Sequence, residues 1–194
     1  MRDSDAVAGE SVEAGVITIM TGELADKTGA VSQDGPHLTA ISMGLLGGAI
    51  GEVLRIGQGV LEPSELIGEG SDIAINPLTQ SFNMRSDWFG FGELPGRAAT
   101  DGSWIVMIRG RLLDPTTARA AHDAVAEVGA GPMREMGDIS HLPFTGVEDS
   151  SQFLSIDVWD NDRNIELMYG NPDVTAGFMQ LFAETPVLQV YRVL

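Results

Sequence analysis

The chain has 194 residues and a formal charge of −17, from 28 acidic and 11 basic side chains, with Lys27 the only lysine. That length holds one large domain or two of about 90–100 residues, each able to bury a core, and the acidic excess opposes unassisted binding to nucleic acid or anionic membranes. The absence of cysteine removes disulfides, thiolate chemistry and zinc of the Cys type, and His37, His122 and His141 show no i, i+4 metal pair, so no dedicated metal site is expected.

Residues 1 to about 14 are acidic and small, which predicts a mobile tail, and they lack the positive start and apolar run of a signal peptide, so a cytoplasmic protein is expected. Val16 to Met20 predicts a strand and Asp26-Lys27-Thr28-Gly29 a turn. After Asp34-Gly35-Pro36, the apolar positions Leu38, Ile41, Leu45, Ala49, Ile50, Val53 and Leu54 fit one long helix. Thr39 to Gly51 carries no charge, yet its thirteen residues fall short of a membrane span. Asp72 to Ile75 predicts a short strand. Phe82, Trp88, Phe89 and Phe91 then gather aromatics that suit either a core or a ligand wall. The glycine- and proline-rich Leu94 to Ser103 is the expected boundary between an N-terminal region (1–97) and a C-terminal domain (98–194).

That domain opens with an alternating strand from Trp104 to Leu113. Asp114-Pro115 then starts a helix with Ala118, Ala121, Val125 and Val128 facing inward, interrupted by Gly129 to Pro132. His122 falls on its polar side, where solvation is expected. A second extended segment runs from Asp138 to Thr145. In Phe153 to Trp159, Phe153, Ser155, Asp157 and Trp159 share one face, and Leu154, Ile156 and Val158 the other. Asp160-Asn161-Asp162 leads into a helix, Asn171-Pro172 starts another with Val174, Phe178, Leu181 and Phe182 as its buried stripe, and Val187 to Val193 closes the unit as a strand.

The order is βαββαβ, the ferredoxin-like arrangement of the α+β class. The first half offers weak echoes of it: Ile17 to Leu24 parallels Ile105 to Leu112, Asp72-Ile73 with Pro77 parallels Asp138-Ile139 with Pro143, and Trp88 parallels Trp159. Two readings stand: a degenerate second copy, or an unrelated region packed on the second domain.

Trp104 to Leu194 resembles the antibiotic-biosynthesis-monooxygenase family of dimeric α+β barrels. The likeness rests on Asp157-Val158-Trp159, the acidic turn after it, Met168-Tyr169-Gly170-Asn171-Pro172-Asp173-Val174, the helix ending Leu181-Phe182, and Pro186 before the last strand. The resemblance implies two ferredoxin-like units packed sheet against sheet, a homodimer unless one chain supplies both, with a pocket between each sheet and its helices. Family members oxidise polyketide- or quinol-type aromatics with molecular oxygen and no cofactor, while relatives degrade haem or catalyse cyclisations. Trp159 matches an aromatic at the end of the third strand, and Tyr169 falls at or near a position often held by histidine. The first strand offers Arg109 and Arg111 where several oxygenases of the family use asparagine.

A cofactor-free oxygenase must deprotonate an electron-rich substrate and hold its carbanion or enolate, so it needs an apolar pocket, a donor for the oxyanion and a base. The candidates are Tyr169, Trp159, Arg109 or Arg111, Asp157, and His141 or His122, with an apolar aromatic molecule as partner. Each has a structural alternative in core packing, ion pairing or solvation. The competing function is a non-catalytic ligand-binding or assembly module, and the sign of it would be Phe82, Trp88, Phe89 and Phe91 filling the space beside Trp159 and Tyr169.

Overall fold

The computed structural model describes residues 15–24, 37–47, 50–67 and 73–194. The tail at 1–14, the turn at 26–29 and the helix start at 34–36 lie outside the described residues. The strands are β1 (Val16–Leu24), β2 (Leu38–Met43), β3 (Ile50–Gln58), β4 (Ile73–Met84), β5 (Trp104–Arg111), β6 (Asp138–Gly146), β7 (Gln152–Trp159) and β8 (Val187–Val193). They close a barrel in the order β1-β3-β2-β8-β5-β7-β6-β4, every pairing antiparallel. The helices are α1 (Pro63–Ile67), α2 (Pro95–Ala98), α3 (Ala118–Glu135), α4 (Arg163–Tyr169) and α5 (Pro172–Met179). Among the described residues no helix is long and apolar enough to cross a membrane.

The ring contains one strand plan twice. β4-β1-β3-β2 and β8-β5-β7-β6 each follow the fourth-first-third-second order of a ferredoxin-like unit. Side chains repeat with it: Ile17 pairs with Phe82 and Ile19 with Gln80, as Ile105 pairs with Tyr191 and Met107 with Gln189. At one end of the bore Gln189 Nε2 donates to Glu52 at 2.7 Å, and its counterpart Gln80 Nε2 donates to Gln152 at 3.0 Å. The first half is thus a degenerate copy of the strand plan, and one chain closes its own barrel. β1 does correspond to β5. The segment from Ile73, however, belongs to β4, the counterpart of β8 rather than of β6, and Trp88 lies beyond β4 in the link to the second half.

The long helix expected from Leu38 to Leu54 is instead β2, a single 3-10 turn at Leu45–Gly47, and β3. Seven apolar positions fit a helical stripe, but Thr39, Ile41, Ile50, Val53 and Ile56 are β-branched, and Gly44 and Gly51 take φ of 76° and 80°, which end any helix. Pairing with β1 and β8, distant in sequence, decides the outcome. In the second half the strands fall where alternation puts them. α3, however, runs through Pro132 to Glu135, and its buried residues are Ala118, His122, Ala126 and Ala130, not the Ala121 to Val128 stripe. Val128 is 79% exposed.

Two apolar layers result. Ile17, Leu54, Phe82, Ile105, Phe144 and Ile156 fill the bore. On the outer face of the second half, Val106, Phe153, Trp159, Ile165 and Phe182 pack between the sheet and the helices, joined by Trp88 from the linker. The candidate site lies in this second layer.

Candidate active site

Alternation along β7 turns Phe153, Ser155, Asp157 and Trp159 toward the helices, and antiparallel register sets His141 of β6 beside Asp157. Asp157 is 1% exposed and gathers three neighbours. His141 Nδ1 lies 2.5 Å from Oδ1, Ser155 Oγ donates to Oδ1 at 3.2 Å, and the Tyr169 hydroxyl, reaching in from the end of α4, donates to Oδ2.

The far side of His141 continues the chain. Its Nε2 lies 3.3 Å from Nε2 of His122, on the inner face of α3, with the two rings nearly parallel at 5.4 Å. His122 Nδ1 in turn lies 3.0 Å from Asp123 Oδ1, which also accepts the Phe89 backbone N–H at 2.8 Å. Asp123 pairs with Arg119 at 3.5 Å and its side chain is 19% exposed. A hydrogen-bonded chain therefore runs from half-buried Tyr169 through Asp157, His141 and His122 to Asp123 at the protein edge.

The proton count follows from the geometry. Each Nδ1 faces a carboxylate and is assigned as the donor, so a single proton must lie between the two Nε2 atoms. Burial, followed by the nearby His141, pushes His122 down to about 4. His122 is therefore neutral, and its Nε2 is assigned as the acceptor in the contact with His141. Burial, then the charges of Asp157 and Asp138, push the Tyr169 phenol well above its ordinary value, so it stands as a neutral donor. Taken together, the arrangement is a proton relay with a phenol at one end and a carboxylate near solvent at the other.

Of the residues singled out from sequence, Tyr169, Trp159, Asp157 and His141 meet here, with Trp159 and Tyr169 edge to face at 6.0 Å. Arg109 does not. It pairs across with Leu154 on the bore-facing side of β5 and reaches Gln189 at 3.5 Å. Arg111 is exposed on Asp149 and Ser151. His122, expected in solvent, is fully buried in the middle of the relay. Asp123, Ser155 and Asp138 were not singled out; the signal for His122 was the strict i+4 ladder of Ala118, Ala126 and Ala130 around it. The aromatic cluster is divided: Phe82 fills the bore, while Trp88 packs on His122 at 5.2 Å and Phe91 on His141 at 5.9 Å. These two rings cover the histidine end of the relay.

No family model matches the sequence, and no curated protein matches it. Solved structures share the fold. An anthrone oxidase-like protein superposes with a TM-score of 0.59 at 12% identity, covering 94% of this chain and 92% of that one. A monooxygenase-like protein from Listeria innocua gives 0.52 at 13%, over 93% and 95%. A ferredoxin-fold protein from Listeria monocytogenes related to antibiotic biosynthesis monooxygenases gives 0.51 at 13%, over 93% and 95%. At such identities the likeness is one of fold, and it extends over both halves rather than over the second alone.

Proposed function

We propose that the chain is a monooxygenase-like enzyme that needs no cofactor and acts on an apolar, electron-rich aromatic of the quinol or polyketide type. The observation that carries this reading is the continuous relay from Tyr169 to Asp123. A structural polar network could stop at Asp157 and its donors; here it continues through two stacked histidines within an aromatic layer, where burying titratable groups is costly. Such a relay suits the first step that the reaction demands. A proton leaving the substrate passes to the Tyr169 oxygen as the phenol proton moves to Asp157, and charge shifts along His141 and His122 toward Asp123.

The resulting carbanion or enolate supplies electrons to molecular oxygen. For a methylene flanked by aromatic rings the balance is CH2 plus O2 giving C=O plus H2O: one oxygen atom enters the substrate, and the other leaves with both hydrogens. The names of the like-folded anthrone oxidase-like and monooxygenase-like proteins agree with this chemistry. A cyclase-like proton transfer would use the same relay without oxygen. A second reading, a non-catalytic ligand-binding or assembly module, is favoured by Trp88 and Phe91 sealing the histidine end.

The test is oxygen uptake and product formation with anthrones and hydroquinones, for the wild type and for Tyr169→Phe and His141→Gln. The expected result is wild-type turnover reduced by about 10²–10⁴ in each variant. Proton exchange into the substrate without oxygen uptake would mark the cyclase-like form. Binding without either would leave the module, and variants as active as the wild type would remove the relay from the mechanism.

A further inference from the structure

A β-bulge decides what surrounds Tyr169. Residues 138 and 141 are an odd number of positions apart, and in an unbroken strand their side chains would leave opposite faces. The register instead sets Asp138 opposite Trp159 and Ser140 opposite Val158, with the exposed Ile139 as the extra residue. The bulge brings Asp138 round to the face that carries His141, Asp157 and Trp159.

Asp138 is 1% exposed. Its Oδ1 accepts the Ser140 N–H at 3.3 Å, whereas its Oδ2 is buried with no partner. Directly across the strand pair, the indole Nε1 of Trp159 is also buried without a well-formed hydrogen bond, its polar neighbour being the Tyr169 oxygen, whose ring lies edge to face with the indole. Native interiors leave few such atoms unpaired, and two on neighbouring strands at the end of a relay point to a missing third participant. A carboxyl O–H and an indole N–H are both donors, so the participant they suit is an acceptor oxygen.

We propose that Asp138 and Trp159 form a donor pair for the oxygen of a phenol or enolisable ketone that becomes negatively charged as Tyr169 receives the substrate's proton. This rests on the enzyme reading above and names the substrate group that the site holds. Around Asp138 stand Asp157 on the adjoining β7, His141 further along its own strand, Tyr169 on α4 and Arg134 on α3. Burial and then the charge of Asp157 push the Asp138 carboxyl up to about 9, against smaller opposing effects of the Ser140 N–H and of Arg134. It is therefore a neutral acid at neutral pH and can donate. No bond to carbon or oxygen changes in this role; the pair stabilises charge that the relay creates.

The experiment compares wild type, Asp138→Asn and Asp138→Leu by thermal melting, by binding of para-nitrophenol followed through the colour of its phenolate, and by the pH profile of turnover. Asn keeps a donor but does not titrate, so the expected result is near wild-type phenolate binding and loss of the fall in activity above about pH 9. Leu removes the donor and is expected to cost about 10²-fold in turnover, the scale of one oxyanion donor, with a weakened preference for the phenolate over the phenol. A melting temperature for Asp138→Asn no lower than wild type establishes that the fold is intact. Wild-type binding and turnover matched by Asp138→Leu would overturn this inference alone. A wild type that neither binds nor turns over any phenol would overturn the enzyme reading beneath it.

Discussion

The two halves of the barrel share one strand plan, and among the described residues only the second carries the relay. In β2 and β3, Leu38 stands opposite Ile56 as Leu142 stands opposite Ile156 in β6 and β7, so His37 takes the place of His141 and Gly57 the place of Asp157. The histidine is present in both copies; the carboxylate is not. A Cβ built on Gly57 would lie 2.3 Å from Leu61 Cδ1, 2.9 Å from Leu66 Cδ2 and 3.0 Å from His37 Nδ1. His37 Nε2 meets the Glu65 carbonyl at 2.9 Å instead of a second ring. Arg55, standing where the second half has Ser155, is buried and donates to the carbonyls of Leu66 and Ile67. The short α1 thus lies flat on the first sheet and is stitched to it. In the second half α3 and α4 stand off far enough to admit two imidazoles and a phenol. The difference teaches that the strand plan alone does not make the site; over the described residues, the side chains at the paired positions and the close packing of α1 on Gly57 and Arg55 decide it.

Substitutions at paired positions test that contrast. Asp157→Ala strips His141, Ser155 and Tyr169 of their common acceptor in the interior, and urea titration is expected to show a loss of about 3–5 kcal/mol. Gly57→Ala adds a methyl where the first half is packed shut, and its expected cost is about 1–3 kcal/mol. A neutral result there would mean that the first sheet has room for a site after all. Next in size is a pH effect confined to the second half. His122 titrates near 6.5 when unfolded and near 4 when folded, so the unfolded chain binds the extra proton between those values. The stability this group contributes is present above 6.5 and lost as pH falls toward 4. His122→Phe, compared with wild type by melting at each pH, is expected to gain over that window. The smallest effect belongs to His37→Gln, which loses one exposed hydrogen bond, about 0.5–1 kcal/mol, and leaves activity unchanged. A drop in turnover there would give the first half a share in the chemistry.

The second half was legible because its strands alternate cleanly. Phe153 to Trp159 announced both the strand and the shared face of Asp157 and Trp159, and the Asn171-Pro172 signal marked the start of α5. The first half was not legible in the same way. Its apolar residues satisfy a helical period as well as a strand period, and the partners that choose between them, β1 and β8, are far away in sequence. In α3, Val125 and Val128 outweigh the three alanines Ala118, Ala126 and Ala130 and turn the expected helix by part of a revolution, which puts His122 on the surface instead of in the interior. Arg109 was misplaced for a different reason: which face of β5 meets the helices depends on its register with β7, and composition does not carry register.

The two halves meet along seams of three residue pairs each, Ala40 to Ser42 with β8 and Phe82 to Met84 with β6. Two separate chains would join across these seams and the shared bore only to an extent set by their concentration. Here a covalent linker keeps each half at a high effective concentration for the other. The barrel, and the relay on its outer face, therefore persist at any dilution, and the amount of protein present does not set the fraction that is assembled.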